Sequence, residues 1–245
     1  MTTPQARASA VVALVEAEPP SAQLGSTSVV SWLNRLCQAT VRALPATGAG
    51  ISLITEAGVG AVTTASDEVS RTLEELQFTL GEGPCMEAFS SRSPVLEPDL
   101  TGGTVERWPV YAAAAQDLGV HAVFAFPLQA GAARLGALDV YRTETGSLSP
   151  QALAQALTFA EVALDALLDA QASSGQGRTP DGVERSLDAH YVVYQAQGMV
   201  MVDLSVSLSA AMARLRAYAF AHNSPLTVVA ADIVAGRLRL DQDLW

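Results

Sequence analysis

Gly119-Val120-His121-Ala122-Val123-Phe124-Ala125-Phe126-Pro127-Leu128-Gln129-Ala130-Gly131-Ala132-Ala133-Arg134-Leu135-Gly136-Ala137-Leu138-Asp139-Val140-Tyr141 is the stretch whose reading decides the fold class. Val120, Ala122, Phe124 and Phe126 recur at every second position, and the turn Ala130-Gly131-Ala132 leads to a second apolar run from Leu135 to Tyr141. Two such runs around a glycine-bearing turn predict antiparallel strands over 120–128 and 135–141.

Upstream, 48–65 predicts another hairpin. Ala49, Ile51, Leu53 and Thr55 alternate with Gly50, Ser52 and Ile54, Gly58 and Gly60 supply the turn, and Val62 to Ala65 return. Between the hairpins lie a predicted polar helix over 67–77 capped by Ser66, the turn Gly81-Glu82-Gly83-Pro84-Cys85 opening a short helix through Glu87 and Phe89, a brief strand over 93–96, and an Ala-rich helix over 108–118. Two longer helices bracket this core. In 27–44 the apolar positions Val29, Trp32, Leu33, Leu36, Ala39, Thr40 and Ala43 recur every three or four residues; in 151–170 Leu153, Ala156, Leu157, Ala160, Leu164, Leu167 and Leu168 form one stripe. The pattern predicts an α+β domain over 27–170, an antiparallel sheet flanked by helices. It follows an N-terminal extension, 1–26, in which a short helix over 5–17 is ended by Pro19 and Pro20.

The Gly/Ser-rich segment Ala172-Ser173-Ser174-Gly175-Gln176-Gly177-Arg178 marks a flexible linker, 171–179. Beyond it, 180–240 reads as a small three-helix domain with helices near 180–204, 208–222 and 225–235. Ser207 caps the second helix, and Ser224 with Pro225 caps the third.

Composition excludes several classes. The 245 residues are 49% hydrophobic and 16% charged, which supports a buried core and excludes wholesale disorder. No uncharged apolar run reaches the roughly 20 residues of a membrane span, and no secretion signal opens the chain, so the expected compartment is the cytoplasm, with no membrane partner. Cys37 and Cys85 can make one bridge but no disulfide framework, and His121, His190 and His222 are scattered, so neither metal nor cofactor is expected. His121 sits on a strand between apolar neighbours and gives no reason to expect haem. Cys85 has no adjacent Lys, Arg or His and reads as a buried apolar residue at a helix start. The chain has no lysine; its net charge of −11 is uneven. Residues 1–182 hold 9 Arg against 19 acids, whereas 189–240 hold 4 Arg against 2 Asp. No catalytic triad spacing, phosphate loop or helical histidine pair occurs, so the expectation is a protein that binds rather than catalyses.

Three segments carry a family resemblance: Gly81-Glu82-Gly83-Pro84-Cys85, Arg107-Trp108-Pro109 and 119–128. They resemble a GAF domain of the actinobacterial kind. The C-terminal helices resemble an ANTAR domain through Gln195-Ala196-Gln197-Gly198-Met199-Val200-Met201, through Ala211, Leu215, Arg216 and Ala219, and through Val229, Ala230, Ile233 and Val234. The order implies a sensory GAF module driving an RNA-binding module that promotes transcription antitermination at RNA stem-loops. The alternative is a GAF ligand-binding or dimerisation protein whose ANTAR-like segment binds RNA weakly or not at all.

Helical geometry places Val193, Ala196, Val200 and Leu204 on a core face, with Tyr191, Gln195, Gly198 and Val202 opposite. A tyrosine, an amide and a glycine suit base stacking, base-edge hydrogen bonds and close backbone approach. In the next helix Leu208, Ala211, Met212, Leu215 and Ala219 are expected inside, with Arg214 and Arg216 beside them as candidate phosphate contacts. The candidate RNA-binding residues are therefore Tyr191, Gln195, Gln197, Gly198, Arg214 and Arg216. Gln197 departs from the lysine usual in the family, which removes a charge and predicts lower phosphate affinity. Trp108, Phe124, Phe126 and Tyr141 are candidates to line a ligand pocket for an unknown small-molecule or protein signal. Helices 27–44 and 151–170 are expected to pair in a homodimer, and the acidic body is expected to hold the basic helices until a signal releases them.

Overall fold

The structure, a computed structural model, describes residues 3–20, 28–54, 60–102, 107–173 and 183–240. Its elements are α1 (Pro4–Ala17), α2 (Val29–Ala43), β1 (Gly48–Ile54), β2 (Gly60–Ala65), α3 (Glu68–Leu80), α4 (Pro84–Ser91), β3 (Val95–Glu97), α5 (Pro109–Asp117), β4 (Ala122–Ala130), β5 (Ala133–Arg142), α6 (Pro150–Ser173), α7 (Val183–Leu204), α8 (Leu208–Ala221) and α9 (Leu226–Val234). The predicted hairpin turn at Gly58 and most of the predicted linker fall outside the described residues.

The five strands form one antiparallel sheet in the order β2-β1-β5-β4-β3. Strand alternation sends side chains to two separate cores. Phe124, Phe126, Leu138 and Ile51 meet Leu33, Leu36, Phe159 and Leu164 under α2 and α6. On the other face Val123, Ala125 and Tyr141 meet Leu73, Tyr111 and Ala115 under α3 and α5. With helices on both faces, positions 122–126 of β4 are buried without interruption, so the alternation in the sequence sorts residues between two cores rather than between core and solvent.

Local chemistry fixes the helix ends. Asp67, rather than Ser66, caps α3, its Oδ1 accepting from the Ser70 amide at 2.9 Å. Ser66 Oγ instead accepts from the Ala49 amide, joining the helix start to β1. The carboxylate takes the cap because it also suits the positive helix N-terminus. Helix α3 ends at Gly81, whose φ of 72° is the left-handed conformation that glycine adopts without strain. Ser207 caps α8, accepting from Ala210, whereas Ser224 does not cap α9: the N-cap position is Pro225, which has no side-chain oxygen to accept from the first turn.

Cys37 and Cys85 are both free and buried, and lie in separate cores, so no bridge joins them. The outer stripes of α2 and α6 are also partly covered within the chain: α1 packs on both helices and buries Val11 and Val15 between them. Among the described residues one helix, α6, is long and apolar enough to cross a membrane, but half of that stretch is buried inside the fold.

The tightest backbone approach in the sheet is at Gly136, where an added Cβ would stand 1.9 Å from the Ser52 carbonyl oxygen. Neither strand can yield without breaking the pairing of β1 with β5. Gly136→Ala is expected to cost at least about 3 kcal/mol, read as a shift of the urea unfolding midpoint or as loss of soluble protein.

Candidate functional site

Helices α7, α8 and α9 enclose their own core of Val193, Ala196, Val200, Leu204, Ala211, Met212, Leu215, Ala219, Val229, Ala230 and Ile233. Leu208 departs from expectation: at the first position of α8 it is 54% exposed. Burial of one face of α7 turns the other to solvent. Tyr191 is 65% exposed and Val202 68%; Gln195 is exposed, and a Cβ on Gly198 would meet nothing within 4 Å. The four residues expected on this face are therefore presented together. Gln197 stands at its edge, half-buried, and donates from Nε2 to the Leu208 carbonyl at 2.8 Å. Its amide ties α7 to the start of α8.

The two arginines do not join that face as free cations. Helix α8 packs on α3, and α7 lies against β2. The Arg216 guanidinium rests on Gly81, where an added Cβ would stand 2.2 Å from a terminal nitrogen. Arg216 Nε is buried and unbonded, and burial lowers the pKa of the group. Arg214 is half-buried, with one terminal nitrogen sealed from solvent and unbonded. Beside this seam a cavity of about 400 Å³ is lined by Thr72, Leu76, Thr79, Leu118, Phe220 and Pro225. Among the described residues no ion pair crosses the seam. Among the described residues the expected attraction between an acidic body and a basic helix takes no ion-paired form at this seam, and the Arg216 guanidinium is set against Gly81.

Below α3 lies a group of polar side chains without exposed surface. Ser52 from β1 donates to Glu74 Oε2 at 2.5 Å, and Tyr141 from β5 donates to Glu74 Oε1 at 2.9 Å and lies 3.3 Å from Asp139 Oδ2. Gln77, one turn beyond Glu74, donates to Asp139 Oδ2 at 2.8 Å and accepts from the Cys85 amide at 2.8 Å. Ser52, Glu74, Gln77, Cys85 and Asp139 each have zero exposure. Burial, and then the charge of Asp139, pushes the Glu74 carboxyl well up. Burial pushes Asp139 up to about 7, and burial followed by the charges of Asp139 and Glu74 raises the Cys85 thiol. The thiol is thus held protonated, as expected of a buried rather than a reactive cysteine. Glycines make the room: a Cβ on Gly50 would stand 2.2 Å from Glu74 Oε1, and one on Gly83 2.5 Å from Gln77 Oε1.

Residues 26–167 match the GAF domain family, and residues 181–234 match the ANTAR domain family. The chain is a GAF–ANTAR protein. Solved structures similar to it include the GAF domain of a phosphoenolpyruvate-protein phosphotransferase from Coxiella burnetii, 17% identical with a TM-score of 0.52, covering 69% of this chain and 95% of that one. The corresponding Acinetobacter GAF domain is 13% identical with a TM-score of 0.51, covering 71% and 98%. At these identities the likeness concerns the fold. No curated protein matches the chain.

The GAF motif residues have identifiable structural work. Glu82 Oε1 accepts from the Val110 and Tyr111 amides at 3.1 and 3.2 Å, capping α5. Arg107 pairs with Glu87 and Glu97 and lies 4.5 Å over the Trp108 ring. His121 is partly exposed and meets the Thr143 carbonyl. The four aromatic pocket candidates do not converge. Phe124 and Phe126, both at even positions of β4, point into the α2/α6 core, whereas Tyr141 on β5, paired with Val123, and Trp108 at the start of α5 belong to the core on the other face of the sheet. Only Tyr141 touches the buried polar group. Sequence reading missed Glu74, Gln77 and Asp139. The available signal was an acid, Asp139, set between Leu138 and Val140 in a strand covered on both faces.

Tyr141→Phe keeps the ring and deletes the hydroxyl that bonds Glu74. Leaving that buried acceptor short of a donor is expected to cost about 1–3 kcal/mol. Equilibrium urea unfolding, with the wild-type slope retained, checks this.

Proposed function

We propose that this GAF–ANTAR regulator binds RNA stem-loops through α7, promotes transcription antitermination in the cytoplasm, and acts by binding rather than as an enzyme. The observation that carries the reading is the exposed face of α7 within a matched ANTAR domain. A stacking platform at Tyr191, an amide at Gln195 and an open backbone at Gly198 form one surface supported by a closed three-helix core. Gln195 supplies base-edge hydrogen bonds, and Gln197 lies where added charge would reach phosphate. Arg214 and Arg216 supply backbone attraction only when α8 leaves the seam, because in the docked arrangement the Arg216 guanidinium sits on Gly81. The docked chain is then the low-affinity state, and a small-molecule or protein signal at the GAF domain shifts the balance toward release. The groove between α1, α2 and α6, lined by Val12, Trp32, Val162 and Ala166, fits a second copy of the chain across a two-fold axis. A monomeric mass by light scattering at tens of micromolar would exclude that dimer.

RNA binding is tested by fluorescence anisotropy with stem-loop RNAs at several salt concentrations. Tyr191→Ala is expected to weaken binding by about 1–3 kcal/mol. Gln197→Lys is expected to tighten it by about 1 kcal/mol and to steepen the salt slope by roughly one unit. Gly81→Ala changes no ANTAR residue but places a methyl where the Arg216 guanidinium lies; freeing α8 should raise the affinity of the full chain several-fold. If folded Tyr191→Ala and Gln197→Lys both bind like wild type, α7 is not the RNA face, and the GAF ligand-binding reading takes its place. An unchanged affinity in Gly81→Ala removes the gating role of the seam and leaves the RNA face standing.

A further inference from the structure

Glu74, Asp139 and Cys85 converge from α3, β5 and the first turn of α4. One ligand atom from each, a carboxylate oxygen or the Cys85 Sγ, lies within 4.8 Å of the other two. None of the three has exposed surface. Ser52, Tyr141 and Gln77 hold Glu74 Oε2, Glu74 Oε1 and Asp139 Oδ2 in place. Asp139 Oδ1, buried like the rest, has no hydrogen-bond partner. Among the described residues no ion pair reaches either carboxyl group. Two acids and a thiol therefore share a space closed to solvent, with one acceptor oxygen unspent. That space suits a bare ion better than an organic cation, which would need a cavity and an opening.

We propose that Glu74, Asp139 and Cys85 form a binding site for one divalent transition-metal ion of the zinc or iron(II) kind. A thiolate with carboxylates selects such borderline ions over magnesium or calcium, which prefer six or more oxygen ligands. Three protein donors leave a further coordination position. Metal binding forms one metal–sulfur and two metal–oxygen bonds. The Cys85 thiol proton, and any proton the two carboxyl groups share, pass to solvent, with no change of oxidation state. A thiolate and two carboxylates around a 2+ ion carry one net negative charge. The hydrogen bonds from Ser52, Tyr141 and Gln77 orient the carboxylates. This site is independent of RNA binding.

Cobalt(II) titration of the untagged, chelator-treated full chain tests the site, because thiolate ligation gives a sulfur-to-cobalt charge-transfer band in the near ultraviolet. One equivalent per chain is expected, with the band. Cys85→Ser should abolish the band, and Cys37→Ser, which alters the thiol of the other core, should retain it. Either variant suffices to identify the ligand, so a folding failure in one does not decide the matter. Asp139→Asn, which removes a ligand charge, should weaken cobalt binding by more than the roughly 10–100-fold lost when only an orienting partner of a ligand is removed. In the wild type, zinc should raise the melting temperature above its value in chelator. A wild-type chain with no charge-transfer band and a melting temperature unmoved by zinc overturns the proposal, and the two carboxyl groups then simply share a proton. A band that survives Cys85→Ser, or that Cys37→Ser removes, overturns it as well.

Discussion

Two carboxyl groups buried within hydrogen-bonding reach of one tyrosine impose conditions on much of the GAF domain. An isolated charge in such a place is prohibitively costly, and an unbonded carboxyl is costly too. The chain meets the requirement with donors from every neighbouring element: Ser52 from β1, Gln77 from α3 and Tyr141 from β5. Gln77 also fixes the start of α4 through the Cys85 amide. Gly50 and Gly83 leave the volume these side chains occupy. Sheet, α3 and α4 are thus registered against one another by polar contacts of fixed geometry, whereas the α2/α6 core on the opposite face relies on apolar packing.

The same helix that carries Glu74 and Gln77 ends at Gly81, directly beneath Arg216. One element therefore faces both the buried polar group and the ANTAR domain. Two kinds of residue arise on the ANTAR side. Tyr191, Gln195 and Gly198 stand clear of the GAF domain, while Arg216 is spent on contact with it. Among the described residues no ion pair crosses the seam, so its strength should respond weakly to salt, whereas phosphate binding responds strongly.

Much of this architecture was legible in the sequence because it follows from period. The alternation through Phe124 and Phe126, the helix over 151–170, and the sorting of α7 into Val193, Ala196, Val200 and Leu204 against Tyr191 and Gln195 all correspond to elements found, although Leu157 of the expected α6 stripe is exposed and Phe159 is buried instead. Four features were not legible. Period two tells which residues share a face but not whether the second face meets water, so Trp108 and Phe124 were grouped as pocket partners although a sheet separates them. The Glu74–Asp139 contact joins residues far apart in the chain, and no local rule pairs them. Arg216 looked available for phosphate because helical phase placed it beside the inner stripe; its cover comes from another domain. The uneven charge of the two halves points to an ionic clasp, where the structure sets the Arg216 guanidinium against Gly81.

Gly81 carries a further consequence for how an RNA would have to compete. The Arg216 guanidinium has its alternative partner on the same polypeptide, so the rival contact is present at a fixed effective concentration, of millimolar order for modules joined by a short tether. Dilution cannot lower it, and raising the amount of protein cannot outrun it. Any RNA that needs Arg216 meets a threshold set by the geometry of one helix terminus. An RNA that engages only Tyr191 and Gln195 meets none. The seam would therefore sort RNAs by the contacts they require, before any signal arrives.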